Sequence, residues 1–360
     1  MFTPLKNQLQ RVLDMGIPGY DCMVMYRGQP VFRSRGGFTD PDAGTPVTGT
    51  ERFYLYSCSK PITCTAALQL WEKGLLELDA PLSRYLPEFA EMQVQTRDGL
   101  RPAVSPITIR NLFTMTGGFT YDLRTPELLR CRQETDGRCP TRELMKYLAR
   151  EPLSFDPGES FRYSLCHDVL AAVVEVVSGM RFGEYVKQNI FDPLGMTHSS
   201  FLLTEEEKQT LAPQYTFKIR KHQAFPVEKK NDYIFGTEYE SGGAGCISTV
   251  EDMIRFCEAL RVGDSVLKKE TVAMMATSQL DESQLREFWV HPYGYGLGVR
   301  CPRDNQVTDF GWDGAAGCYL AVDPAHELSL FYAQQVLNAP VNLINHCFLT
   351  AAQQSIAEAF

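Results

Sequence analysis

Short strand-like runs cluster at the two ends of this 360-residue chain and give way to helix and loop in its middle, and this distribution constrains the fold more than any other feature. Near the N-terminus, Asp21-Cys22-Met23-Val24-Met25-Tyr26 and Pro30-Val31-Phe32-Arg33-Ser34 flank Arg27-Gly28-Gln29 and read as a β-hairpin. Toward the C-terminus, residues 294–299, 317–322 and 328–333 are further strand-like runs. Between the two groups, Pro81, Pro87, Pro102 and Pro106 punctuate the chain. Apolar spacing predicts helices over residues 3–15, 57–74, 166–179 and 340–359. The third is rich in valine, but its length and lack of alternation favour a buried helix over a strand. The simplest arrangement is an α+β fold. Residues 1–80 and 240–360 build one sheet domain, residues 81–239 form a mainly helical inserted region, and a cleft lies between them.

A hydrophobic content of 44% with 22% charged residues supports a substantial core and excludes disorder, collagen and coiled coil. The charge sum, 35 Lys+Arg against 44 Asp+Glu, is −9, and basic residues form no sustained run, which argues against nucleic acid or anionic membrane as partners. No apolar stretch reaches eighteen residues, and Met1 to Lys6 lacks the pattern of an export signal. The eleven cysteines contain no C-x-x-C pair and no zinc-like spacing with histidine, so they read as reduced thiols in the cytoplasm.

The signatures G-x-S-x-G, H-E-x-x-H and G-x-x-x-x-G-K-[ST] are absent, and the alternating Gly294, Gly296 and Gly298 suit a closely packed strand better than a dinucleotide loop. Neither a cofactor nor a metal is expected. What remains is Ser57-Cys58-Ser59-Lys60 at the start of a helix. Residues three apart share a helical face, so the Lys60 amine can reach the Ser57 hydroxyl. A lysine desolvated in a cleft loses its proton and can serve as base for an otherwise weak serine nucleophile. A plain helix cap is the alternative for Ser57. A second S-x-x-K at Ser265 to Lys268 reads as a solvated helix start.

Phe53 to Thr63 resembles the nucleophile segment of the serine β-lactamase and penicillin-binding-protein superfamily, particularly its class C and esterase branch. The resemblance continues in order at residues 107–118, 157–164, 191–196, 244–249 and 294–298, so that it spans about residues 18 to 335. It implies a β-lactamase-like fold with an antiparallel sheet of five or more strands flanked by helices. It also implies that Tyr163, in Tyr163-Ser164-Leu165, shuttles protons beside Lys60, and that the backbone amides of Ser57 and Ala315 form the oxyanion site. Leu165 stands where the family carries Asn, which removes an amide contact to substrate. Trp312-Asp313-Gly314 corresponds to the family's K-T-G or H-T-G. Trp312 lacks the cation that holds a substrate carboxylate and Asp313 adds an acid, so neutral or cationic acyl substrates are expected. Both departures are similar to family VIII carboxylesterases of the esterase B type. Trp312, Asp313, Gly314 and Leu165 are accordingly expected to contact substrate, with rim packing as the alternative for Trp312. His167 is read as a structural histidine and Cys58 as core filling.

The activity this implies is a carboxylesterase that forms an acyl-enzyme at Ser57 on small or medium neutral esters. A D-amino-acid-specific peptidase or amidase, an acyltransferase, and a catalytically silent binding domain remain open beside it. A small-molecule acyl substrate is the expected partner, and the oligomeric state is not assigned.

Overall fold

A computed structural model describes residues 1–304, 306–340 and 345–360. Its centre is an eight-stranded antiparallel sheet. From one edge to the other the strands are Gly294–Tyr295, Arg300–Cys301, Phe310–Asp313, Tyr319–Asp323, Leu328–Ala333, Gly19–Tyr26, Gln29–Asp40 and Thr45–Pro46. The two chain ends meet inside it, where Val24 stands opposite Leu330 and Cys22 opposite Tyr332. The N-terminal hairpin turns on Arg27 and Gly28, both at positive φ (50° and 77°), the geometry whose twist matches its strands.

Helices cover both faces of the sheet. Thr3–Asp14 places Leu5, Leu9 and Val12 on one side, and they share a core with Phe348, Leu349, Ala352 and Ile356 of the C-terminal helix Asn345–Ala359. The expected helix start at 340–344 lies partly outside the described residues. On the other face a larger core surrounds the helix Ser59–Glu72, whose residues from Ser59 to Leu70 are all buried, and the helix Cys166–Ser178 packed against it. That second helix confirms the reading of the valine-rich segment. Its apolar residues are buried all round its first nine positions, as a helix enclosed by neighbours requires.

One expected strand is shorter than predicted. Of residues 294–299 only Gly294–Tyr295 pairs, and the chain then turns back into Arg300–Cys301. Gly298 sits at φ 87°, and a Cβ there would lie 2.2 Å from Cys64 Sγ, so this glycine serves close packing against the Ser59–Glu72 helix rather than strand pairing. A smaller three-stranded sheet joins Gln214–Lys218 to Gln223–Val227 and to Val336–Leu337. Among the described residues no helix is long and apolar enough to cross a membrane.

Candidate active site

Ser57 sits in a single 3-10 turn, Tyr56–Cys58, immediately before the Ser59–Glu72 helix. The preceding Tyr56 is in the left-handed region at φ 48°, a strained conformation for a side chain of this size, and it tightens the entry into the helix. Tyr56 is held there by its hydroxyl, which accepts a hydrogen bond from Gln214 Nε2 at 3.0 Å. Ser57 then lines a cavity of about 650 Å³, together with Tyr121, Tyr163, Tyr233, Trp289 and Trp312.

Lys60, one turn further on, is wholly buried. Its Nζ lies 3.1 Å from Ser57 Oγ, 3.2 Å from the Tyr121 hydroxyl and 2.6 Å from the carbonyl oxygen of Gly243. A neutral amine has two N–H donors and one lone pair, so donation to Gly243 and Tyr121 leaves the lone pair for the Ser57 proton. Burial brings the Lys60 pKa down to about 7, against the upward pull of the Asp168 carboxylate. The Asp168 side chain is itself buried, and its Oδ1 accepts from the Tyr239 hydroxyl (2.7 Å) and from Ser241 Oγ (2.6 Å). Gly243 fits between these groups. A Cβ there would stand 2.5 Å from Asp168 Oδ2 and 2.8 Å from the Tyr121 hydroxyl, so glycine is what lets this carbonyl reach Lys60.

Tyr163 lies beside the lysine, its ring centroid 4.4 Å from Nζ. Burial raises its pKa, and hydrogen bonds with Ser57 and Trp312 only partly offset this, so the phenol keeps its proton at neutral pH. Trp312 Nε1–H donates to the Tyr163 hydroxyl at 2.9 Å, with the two rings stacked at 5.6 Å. The indole therefore occupies a phenol lone pair and leaves the O–H free to donate. Trp312 is also a wall of the cavity, so packing and orientation coincide in one side chain.

Two of the expected substrate contacts change. Leu165 does not reach the cavity. It caps the Cys166–Ser178 helix and its apolar side chain turns into the core, 2% exposed. Asp313 does line the cavity, but not as an isolated acid: Arg300 Nη1 binds its Oδ1 at 3.0 Å, and Arg300 Nη2 binds Asp309 Oδ2 at 3.0 Å. Tyr293 and Tyr319 cover the guanidinium at 5.2 and 4.8 Å. Gly314 and Ala315 line the same cavity as Ser57. Among the described residues no backbone acceptor takes the N–H of Ser57 or of Ala315. His167 faces away from this group: its Nε2 is 3.6 Å from Cys64 Sγ and 3.3 Å from the Phe113 carbonyl, and burial holds its pKa down at about 3. Cys58 is buried, its thiol donating to the Trp312 carbonyl. Ser265, of the second S-x-x-K, is exposed and precedes the helix Lys269–Met275 rather than starting it.

Tyr121, Asp168 and Arg300 carry no motif and escaped the sequence reading. Burial beside Lys60 and Asp313 marks Asp168 and Arg300, and Tyr121 is marked by its place in the cavity wall within reach of Lys60.

A serine, a buried amine near neutrality, a protonated phenol and two backbone amides with no partner among the described residues, gathered around one aromatic cavity, define a hydrolase of the serine acyl-enzyme class. Residues 6–343 match the Beta-lactamase family, and the chain belongs to it. Esterase EstB of Burkholderia gladioli is 32% identical over 284 residues, covering 73% of this chain and 70% of the esterase. Among solved structures, EstCE1, described as a hydrolase with promiscuous acyltransferase activity, superposes with a TM-score of 0.80 at 24% identity, over 99% of both chains. The simvastatin synthase LovD of Aspergillus terreus gives a TM-score of 0.80 at 24% identity over 97% of each. At this level of identity the two structures support the β-lactamase-like fold alone.

Proposed function

We propose that this serine hydrolase is a carboxylesterase in which Ser57 carries the acyl group. The observation that carries the reading is the 3.1 Å contact of Ser57 Oγ with an amine whose pKa is about 7. Lys60 takes the Ser57 proton as Oγ attacks the ester carbonyl. The N–H groups of Ser57 and Ala315 hold the developing oxyanion, a contribution of about 3 kcal/mol per donor. Tyr163, oriented by Trp312, donates to the departing alkoxide and is reprotonated through Lys60. Water then attacks the acyl-enzyme by the reverse route. An alcohol in the same place completes an acyl transfer instead. The two chain ends (1–80 and 240–360) and the inserted region 81–239 form the walls of the cleft.

Neutral substrates fit the charges. Arg300 is bridged to two carboxylates, so the trio carries one net negative charge and offers a substrate carboxylate no free cation. A cytoplasmic setting accords with eleven unpaired cysteines, ten of them buried.

A fluorophosphonate probe is expected to label Ser57 and not the Ser57→Ala variant, with hydrolysis of 4-nitrophenyl esters falling at least about a thousandfold in that variant. Absence of an adduct at Ser57 would sink the enzyme reading, and D-amino-acid amides turned over faster than esters would replace it with an amidase.

A further inference from the structure

Asp313 stands in the wall of the cavity that holds Ser57. Its Oδ1 is bound by Arg300, and its Oδ2 takes no hydrogen bond from any described residue. We propose that the alcohol portion of the substrate carries a quaternary ammonium group, which the Asp313 carboxylate and the face of Trp289 hold inside this cavity. This rests on the esterase reading above and concerns only the leaving alcohol.

Position assigns the cation to the alcohol. The departing oxygen must lie within reach of its proton donor, Tyr163. Tyr163 is flanked by Trp289 and Trp312, with ring centroids 5.5 and 5.6 Å away, so the alcohol begins among these rings. Asp313 follows Trp312 on the strand Phe310–Asp313, about 3.3 Å further along. An alcohol a few atoms long therefore passes from Tyr163 toward the carboxylate.

The charges that exclude a carboxylate favour its opposite. Arg300, Asp309 and Asp313 sum to one negative charge, and their exposure is unequal: the side chains of Arg300 and Asp309 are 1% exposed and that of Asp313 is 30%. A ligand thus meets the carboxylate, while Tyr293 and Tyr319 cover the guanidinium. His346 lines the same cavity, and burial lowers its pKa, with Arg300 acting in the same sense, so its imidazole stays neutral and adds no positive charge. Trp289 supplies the apolar half of the site. It is 57% exposed, and it meets Phe161, Tyr163 and Phe288 at 60°, 86° and 48°, so none of these rings stacks on the indole. An unstacked indole face attracts a cation, and a quaternary ammonium brings no N–H that the aromatic wall would leave unpaired. A neutral alcohol of the same shape gains neither contact.

The test compares 3-(trimethylammonio)phenyl acetate with 3-tert-butylphenyl acetate, whose alcohols share a shape and differ in charge. Each kcat/KM, measured at low ionic strength, is divided by the ester's own rate of hydroxide hydrolysis. The expected result is a preference of about tenfold or more for the cationic ester. In Asp313→Asn the preference falls to about threefold or less. The preference is a ratio of two rates on one preparation, so partial unfolding of the variant does not alter it. Ser57-dependent turnover of both esters with no preference, or a preference unchanged in the variant, overturns the proposal and leaves the esterase reading standing. Turnover of neither ester overturns both.

Discussion

An exposed lysine is charged at neutral pH and cannot accept a proton, whereas Lys60 is wholly enclosed and titrates near 7. Two opposed influences set that value, burial pushing it down and Asp168 drawing it up, and burial prevails. The working form of Lys60 in the free enzyme is the neutral amine, so kcat/KM for a neutral ester should rise with pH through about 7 and level off above it. Asp168 favours the charged form, so Asp168→Asn should move this acid limb to lower pH, by about one unit. A pH–rate profile of the variant measures it, and a limb displaced upward would show that Asp168 acts on Lys60 in some way other than by its charge. Tyr163 should contribute no limb in this range, because burial keeps its phenol protonated.

The strand Phe310–Asp313 organises the other half of the site as a single element. Trp312 reaches Tyr163 from it, Asp313 is tied to Arg300 on the adjacent strand, and the chain runs directly on into Gly314 and Ala315. Arg300 and Asp309 side chains are each 1% exposed. Removing the guanidinium would leave a buried carboxylate unpaired, so Arg300→Met should cost about 3–5 kcal/mol in chemical denaturation. The triple variant R300M/D309N/D313N should recover most of that loss, because desolvating unpaired charge, and not the absence of attraction, dominates the cost. A triple variant as unstable as the single one would assign Arg300 a packing role through Tyr293 and Tyr319 instead.

At the scale of the whole molecule, the sheet cannot close until the first 40 residues meet residues 310–333, and the terminal helices seal that joint. Leu9, wholly buried in the core shared by both helices, lies on the face away from the cavity. Leu9→Ala should therefore lower stability by about 2–5 kcal/mol. The kcat of the folded fraction should stay unchanged at temperatures well below its melting point. A fall in kcat without a fall in stability would show that the terminal helices influence the cleft directly.

How far each feature was legible depends on how local its cause is. Helix period and turn chemistry act over a few residues, so the hairpin at Arg27-Gly28, the valine-rich helix and the i,i+3 relation of Ser57 to Lys60 could be read directly. The resemblance carried the antiparallel sheet, Tyr163 and the Ala315 amide, while the order of the eight strands came only with the structure. Tyr121 meets Lys60 across 61 positions of chain, and Arg300 meets Asp313 across a strand pair, and no local period encodes either. Leu165 shows the converse: its motif position pointed to the cleft, but the helix it caps turned an apolar side chain into the core, where burial favours it. The sequence by itself determined which residues are able to form an acyl-enzyme. Only the tertiary structure decided their protonation states and the charge of the cavity, because both depend on which groups are withdrawn from water together.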